Sequence, residues 1–171
     1  MVFLYIEIEM SLPICAICAK SGVLCTACEE KLKAGKISEL DVELSKILYK
    51  LGKGEIGFDR AIDTKKFIIV LTQKENVGKI IGKGGDNIRQ LSRDLGKQLR
   101  VISTGDLQET IYDFVAPARI LAINTVYKPD GTMVQRVRIS KKDRRKLRMS
   151  LREMEKLIAS LTNNKVEISL E

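Results

Sequence analysis

Four cysteines lie within fourteen residues of one another: Cys15, Cys18, Cys25 and Cys28. They form two C-x2-C pairs separated by a six-residue loop containing Ser21-Gly22. Each pair can aim two thiolates at one metal ion, and two pairs close a tetrahedral site with no open position. A closed site of this kind is structural, because it replaces the core that so short a segment lacks. One zinc ion is the expected occupant. An iron–sulfur cluster, a redox dithiol and a disulfide pair are the competing chemistries; cluster spacings usually differ from this one, and a redox C-x-x-C is seldom doubled at this distance. The chain has no histidine. Imidazole bases, His-activated nucleophiles and His-ligated metals are therefore excluded.

A glycine-rich stretch, Val77-Gly78-Lys79-Ile80-Ile81-Gly82-Lys83-Gly84-Gly85, is the second feature with chemical content. It is not a Walker A loop: only three residues separate Gly78 from Gly82, and Gly84 follows Lys83 where Ser or Thr would be needed. Nor is it a dinucleotide fingerprint, since no strand immediately precedes it and Asn87 stands where a third glycine belongs. A G-x-x-G turn between two helices fits. Glycines at Gly82, Gly84 and Gly85 let a nucleotide backbone come close. The N–H groups that open the next helix point at phosphate, with Lys79, Lys83 and Arg89 adding charge. Ile81 and Ile88 flank the turn and would line an apolar groove for bases. The competing reading is a glycine turn in an ordinary helical hairpin.

The elements that must position these residues follow from periodicity. Ile37–Leu51 has the apolar spacing of an amphipathic helix closed by Gly52. Strand-like runs at Glu55–Ile62 and Lys66–Thr72 come next, then helices at Glu75–Ile81 and Asp86–Leu95, then a strand at Gln98–Ser103. Leu107–Val115 predicts a helix, Arg119–Tyr127 and Thr132–Ile139 two strands joined by Lys128-Pro129-Asp130-Gly131, Lys141–Leu161 helical structure, and Lys165–Leu170 a strand. The order helix-strand-strand-helix-helix-strand thus occurs twice. The second copy has no glycine after Gly131; its counterpart of the glycine turn falls near Arg148-Met149-Ser150-Leu151. In its place stands a basic run: Arg136, Arg138, Lys141, Lys142, Arg144, Arg145, Lys146, Arg148 and Arg152, with Asp143 the one acid among them. The alternative for this stretch is one uninterrupted amphipathic helix with a solvated basic face.

Charge agrees with a polyanion partner. The 171 residues carry 30 Lys or Arg against 22 Asp or Glu, net +8. Residues 1–55 hold 7 basic and 8 acidic side chains, and residues 56–171 hold 23 and 14. A basic domain behind a neutral segment is the footprint of a nucleic-acid binder, although a Lys-rich surface can also serve solubility. Aromatic residues are only 5% and Trp is absent, which argues against stacking platforms of the RRM or OB type and for an aliphatic groove. A metal-dependent nuclease would need clustered carboxylates; Glu153 and Glu155 do not share one helix face, so no enzyme is expected. No run approaches 18 apolar residues, so no spanning helix is expected. Val2–Ile6 resembles a short strand rather than a signal peptide. A cytoplasmic protein with reduced thiols, no membrane association and no small-molecule substrate is expected.

The cysteine segment resembles a small zinc ribbon or treble-clef knuckle. The glycine turn in its six-element setting resembles a KH domain of type II. Two such units in tandem, with Val77–Gly85 in the first and Ala116-Pro117-Ala118-Arg119 at the junction, resemble the KH region of the NusA transcription-factor family in its short archaeal form. A four-cysteine segment stands here where bacterial members carry a polymerase-binding domain. The expected fold is therefore α+β: residues 1–36 a strand and metal module, 37–115 a KH domain with an intact turn, and 116–171 a degenerate KH-like domain whose first helix is alternatively 107–115. The resemblance implies single-stranded RNA binding near elongating RNA polymerase, with a role in elongation, termination or antitermination. Other type II KH proteins act on the ribosome or in RNA processing, and that is the alternative. The implied RNA-binding residues are Lys79, Ile81, Gly82, Lys83, Gly84, Gly85, Ile88 and Arg89. Phosphate contacts are expected from Arg136, Arg138, Lys141, Lys142, Arg144, Arg145 and Arg148.

Overall fold

The computed structural model describes residues 12–171; the strand expected at Val2–Ile6 lies outside them. The chain is α+β and divides into two compact units, one up to Thr104 and one from Gly105. The helix Leu107–Val115 falls in the second unit.

The first unit begins with two short helices, α1 (Ala16–Ser21) and α2 (Thr26–Lys33). Then come α3 (Glu39–Gly52), β1 (Arg60–Asp63), β2 (Phe67–Gln73), α4 (Lys74–Ile81), α5 (Asp86–Leu95) and β3 (Gln98–Thr104). β2 is the central strand, antiparallel to β1 and parallel to β3. Every residue from Phe67 to Thr72 is buried, and the run Phe-Ile-Ile-Val-Leu has the continuous hydrophobicity that such a strand needs. Leu44 and Leu48 of α3, Ile80 of α4 and Leu91 of α5 join Ile68, Val70 and Leu99 in one core.

β1 is shorter than the expected Glu55–Ile62. Ile56 and Phe58 are buried in that core, but they reach it from a loop. Only Asp59 extends the pairing, its N–H donating to Leu71 O at 2.7 Å. Apolar residues at alternate positions mimic a strand here while serving as plugs.

α3 is fixed at its start by a capping box. Asp41 N–H donates to Ser38 Oγ at 3.1 Å, and Ser38 N–H donates to Asp41 Oδ2 at 2.9 Å. The other oxygen of this buried carboxylate accepts the Ala61 N–H at 2.7 Å. Asp41 therefore ties the helix to β1 while capping it.

The second unit runs α6 (Leu107–Val115), β4 (Ile120–Tyr127), β5 (Met133–Ile139), a 3-10 segment (Lys141–Lys146), α7 (Leu151–Thr162) and β6 (Lys165–Leu170). Its sheet has the same pattern: β5 is central, antiparallel to β4 and parallel to β6. Its buried side chains include Ile111 and Phe114 on α6, Val137 and Ile139 on β5, and Met154 and Ile158 on α7. The stretch Lys141–Leu161 is not one helix. It breaks at Leu147, and Ser150 caps α7 in a box with Glu153. No helix among the described residues is long and apolar enough to cross a membrane.

The Asp41 carboxylate is testable. Asp41→Ala leaves the buried Ala61 N–H without an acceptor and removes the cap on the more exposed Ser38 N–H, and should destabilise the first unit by about 1 to 3 kcal/mol. Asp41→Asn keeps one acceptor oxygen and should lose less. Urea denaturation of both variants measures the difference, and an Ala variant as stable as wild type would refute this account.

Candidate functional site

The two C-x2-C pairs are built alike. Cys15 is the N-cap of α1 and Cys25 the N-cap of α2, so each pair sits on the first turn of a helix. The helix starts brace one another. Cys25 N–H donates to Cys18 Sγ at 3.0 Å, and Cys15 N–H donates to Cys28 Sγ at 3.5 Å. All four sulfurs lie within 4.8 Å of one another. Tetrahedral ligation at about 2.3 Å needs sulfurs about 3.8 Å apart, so these four side chains could hold a metal ion with minor adjustment.

Cys18 and Cys28 are buried while Cys15 and Cys25 are exposed. As thiols they differ accordingly. The Cys28 N–H, then the Cys18 and Cys28 side chains, draw the Cys25 thiol down to about 7. Hydrogen bonds from Cys18, backbone first, lower Cys15. At Cys18 the Cys25 N–H favours the thiolate, but burial and the three neighbouring thiols outweigh it and push the group up to about 12. At Cys28 the Cys15 N–H likewise favours the thiolate, and burial with the Cys25 side chain leads the opposing effects that raise it. Two outer thiols are thus poised to ionise and two inner ones resist unless a cation compensates. A bound metal supplies that charge and deprotonates its ligands. Ile14, Cys18, Ala19 and Cys28 form a small core with Val42, against which Tyr49 packs. Both Val42 and Tyr49 belong to α3, so the cysteine segment rests on the helix whose other face enters the main core.

The glycine turn lies between α4 and α5. Gly82 has φ 75 and ψ 171, and Gly84 and Gly85 have φ 61 and 78. Gly82 must be glycine for a second reason: a Cβ there would lie 2.6 Å from Asn87 Cγ. Asn87 in turn donates from Nδ2 to Lys79 O at 3.0 Å, bracing the end of α4 against the start of α5. Gly84 faces open space, with nothing within 4 Å of an added Cβ. Lys79, Lys83 and Gly84 are exposed, and Ile81 and Ile88 are half-buried on either side of the turn. Arg89 is held by Asp86 at 2.6 Å, which also balances the acid at the start of α5. The first residue before α5 is Gly85, so no side chain caps its N–H groups. α3, α6 and α7 are all capped by their own side chains.

The corresponding place in the second unit is occupied differently. Ser150 N–H donates to Glu153 Oε2 at 3.0 Å, and Glu153 N–H to Ser150 Oγ at 3.3 Å. A carboxylate of the chain itself thus sits at the start of α7. The expected basic run is split in two. Arg136 and Arg138 lie on β5, where Arg136 is 3.6 Å from Glu167 and Arg138 is 3.2 Å from Glu171. Lys141, Lys142, Arg144, Arg145 and Arg148 are exposed on the 3-10 segment and the link that follows. Asp143 is buried. Its carboxylate meets Lys146 Nζ at 2.7 Å and accepts the Arg119 N–H at 2.8 Å. Lys146 and the Arg119 N–H hold it below the usual carboxylate range. It anchors the 3-10 segment rather than diluting the basic run.

Residues 36–104 match the family model of the NusA-like first KH domain. That match supports placing the first KH unit in a NusA-like KH family, a nucleic-acid-binding fold. The solved structure of APE1850 is similar to this chain with a TM-score of 0.52 at 18% identity, over 73% of this chain and 93% of that one. At that identity the likeness is one of fold. No curated protein matches.

Metal removal should act locally. Protons compete with metal for all four sulfurs, and the raised Cys18 and Cys28 thiols make that competition stronger as pH falls. A chelator at neutral pH, or acid alone, should strip hydrogen-exchange protection from residues 12–35 and leave β2 and β3 protected. Unchanged exchange in residues 12–35 after chelation would contradict this.

Proposed function

We propose that this chain is a single-stranded RNA-binding accessory factor of transcription, that Gly82–Gly85 grips the RNA backbone, and that the four cysteines hold one structural zinc ion. The observation that carries the RNA reading is the start of α5. It is uncapped, it follows a turn with positive φ at three glycines, and it faces open space at Gly84. Gly85 and Asp86 donate within the turn, but with no side-chain cap the N–H groups that follow favour an anion. Lys79 and Lys83 add charge, Ile81 and Ile88 offer apolar contact to bases, and Arg89 lies beside the turn. The NusA-like match over residues 36–104 favours RNA polymerase over the ribosome as the neighbouring machine. Four thiolates with no open position favour zinc in a structural role.

The second unit holds RNA by charge without reading bases. Glu153 already takes the place of an anion at α7, and no glycine allows close approach. Lys141, Lys142, Arg144, Arg145 and Arg148 still reach phosphates with long side chains, and such contacts position a strand without specifying sequence. Arg136 and Arg138 contribute less, since each shares a carboxylate within its own sheet.

Replacing Lys83 and Gly84 together by Asp tests the first unit. Asp tolerates the positive φ of Gly84 better than most residues, and both positions are exposed, so the fold should persist. Affinity for single-stranded RNA should fall at least tenfold, with the preference among sequences altered. Binding equal to wild type would end the KH reading. Co-purification with polymerase subunits rather than ribosomal proteins tests the transcription role.

Changing Arg144 and Arg145 together to Gln tests the second unit. Affinity should drop by a similar factor for every RNA, and the slope of log affinity against log salt should become shallower by about 0.7 per lost phosphate contact. An unchanged slope would reassign this surface to another role.

A further inference from the structure

Asp86 runs against a polyanion ligand. It puts an exposed carboxylate on the first residue of α5, directly after Gly85. An acid in the first turn of a helix suits the helix dipole, and that alone would account for its presence. Its partner says more. Arg89 Nη2 donates to Asp86 Oδ1 at 2.6 Å, and the two side chains are 62% and 76% exposed. An exposed pair three residues apart contributes little to a fold. It does fix where the guanidinium lies. A Cβ added at Gly85 would come within 3.3 Å of Arg89 Nη1. The guanidinium therefore rests against the last glycine of the turn, in space that another residue there would take. α7 has no such pair: Leu151 and Met154 hold the same two positions, and Met154 is buried. The pair occurs where the glycine turn occurs.

We propose that Asp86 is a positioning residue for RNA: it holds the Arg89 guanidinium over Gly85 so that Nη1 meets a phosphate of the strand gripped by the turn. This role rests on the RNA reading of the turn. A guanidinium carries five N–H donors in a rigid fork. Asp86 engages Nη2, and the Nη1 side, against the glycine, faces the ligand. An arginine that is free before binding gives up rotamer freedom when it binds, which lowers affinity about two- to tenfold. Asp86 restricts Arg89 beforehand and removes much of that loss. Repulsion between the Asp86 carboxylate and the phosphate acts the other way. Both groups are solvated, and salt at cellular strength screens charges beyond about 8 Å, so the positioning gain is the larger effect.

The two roles of Asp86 predict opposite signs. If it serves the helix dipole alone, its removal relieves repulsion and RNA binds more tightly. If it positions Arg89, its removal weakens binding.

Affinity of the full metal-loaded chain for single-stranded oligoribonucleotides of several sequences, measured at several salt concentrations, separates the two. Asp86→Ala should weaken binding about threefold for every sequence, although it takes a negative charge off the surface. Arg89→Ala should weaken binding about tenfold and make the slope of log affinity against log salt shallower by about 0.7. Arg89→Lys should keep the slope and recover only part of the affinity, because an ammonium lacks the fork that serves Asp86 and a phosphate together. In the Arg89→Ala chain, adding Asp86→Ala should cost nothing further or restore some binding, since only the repulsion is left to remove. Both side chains are exposed, and circular dichroism like that of wild type shows that each variant is folded. A wild-type chain that binds no single-stranded RNA would overturn the RNA reading and this role with it. Wild-type binding with Asp86→Ala at or above wild-type affinity would overturn this role alone. So would an Asp86→Ala loss of the same size with and without Arg89, or a loss confined to some sequences, which would assign Arg89 to a base edge.

Discussion

The carboxylate of Asp41 accepts two backbone N–H groups from different elements, and the first unit is organised around the helix it fixes. Ser38 belongs to the start of α3 and Ala61 to β1. Holding both ties the start of α3 to β1. From there the helix serves two cores. Leu44 and Leu48 enter the one that contains Ile80 and Leu91, on which the glycine turn is mounted. Val42 enters the one that contains Cys18 and Cys28. The cysteine segment has too few apolar residues to fold alone, so it borrows a face of α3. The dependence runs one way: α3 keeps its cap and its inner face without the cysteines, while the cysteine segment keeps little without α3.

The glycine turn shows why three glycines are needed and that their reasons differ. Gly82 is demanded from within, by a backbone angle open almost only to glycine and by Asn87 pressed against it. Gly84 is not crowded by anything in the chain. Its open side is space that a ligand backbone can occupy. Asn87 does the structural part by holding α4 and α5 together across the turn, while Gly85 and Asp86 donate their N–H groups to Gly82 O and Lys83 O within it.

Much of this was legible in the residues. Hydrophobic periodicity located α5, α6 and β6 to the residue, and the cysteine spacing located the cluster that the structure brings together. What escaped has a common cause: a single polar residue doing backbone work. Asp41 and Asp143 look like ordinary surface acids until the N–H groups they accept are known, and Asn87 looked like the absence of a glycine. Part of the signal was present. Ser38-x-x-Asp41 and Ser150-x-x-Glu153 have the spacing of capping boxes, and the second marks the start of α7 at the place where the turn between the two helices of the second unit was expected. Ile56 and Phe58 misled for the opposite reason, since alternation alone does not tell a strand from a loop that plugs a core.

The Ser150–Glu153 box also bears on how freely the two units could exchange roles over time. Reaching the turn of the first unit from that of the second takes more than one glycine. The serine cap must go, the glutamate that neutralises the helix start must go, and small residues must replace Arg148 and Met149. Each step alone gives up part of a working cap, worth about 1 kcal/mol, before any ligand can compensate. The intermediates are worse than either end. A fold repeated in this condition keeps its asymmetry: one unit opens its second helix with glycines, while the other is held by the stability of its own helix start.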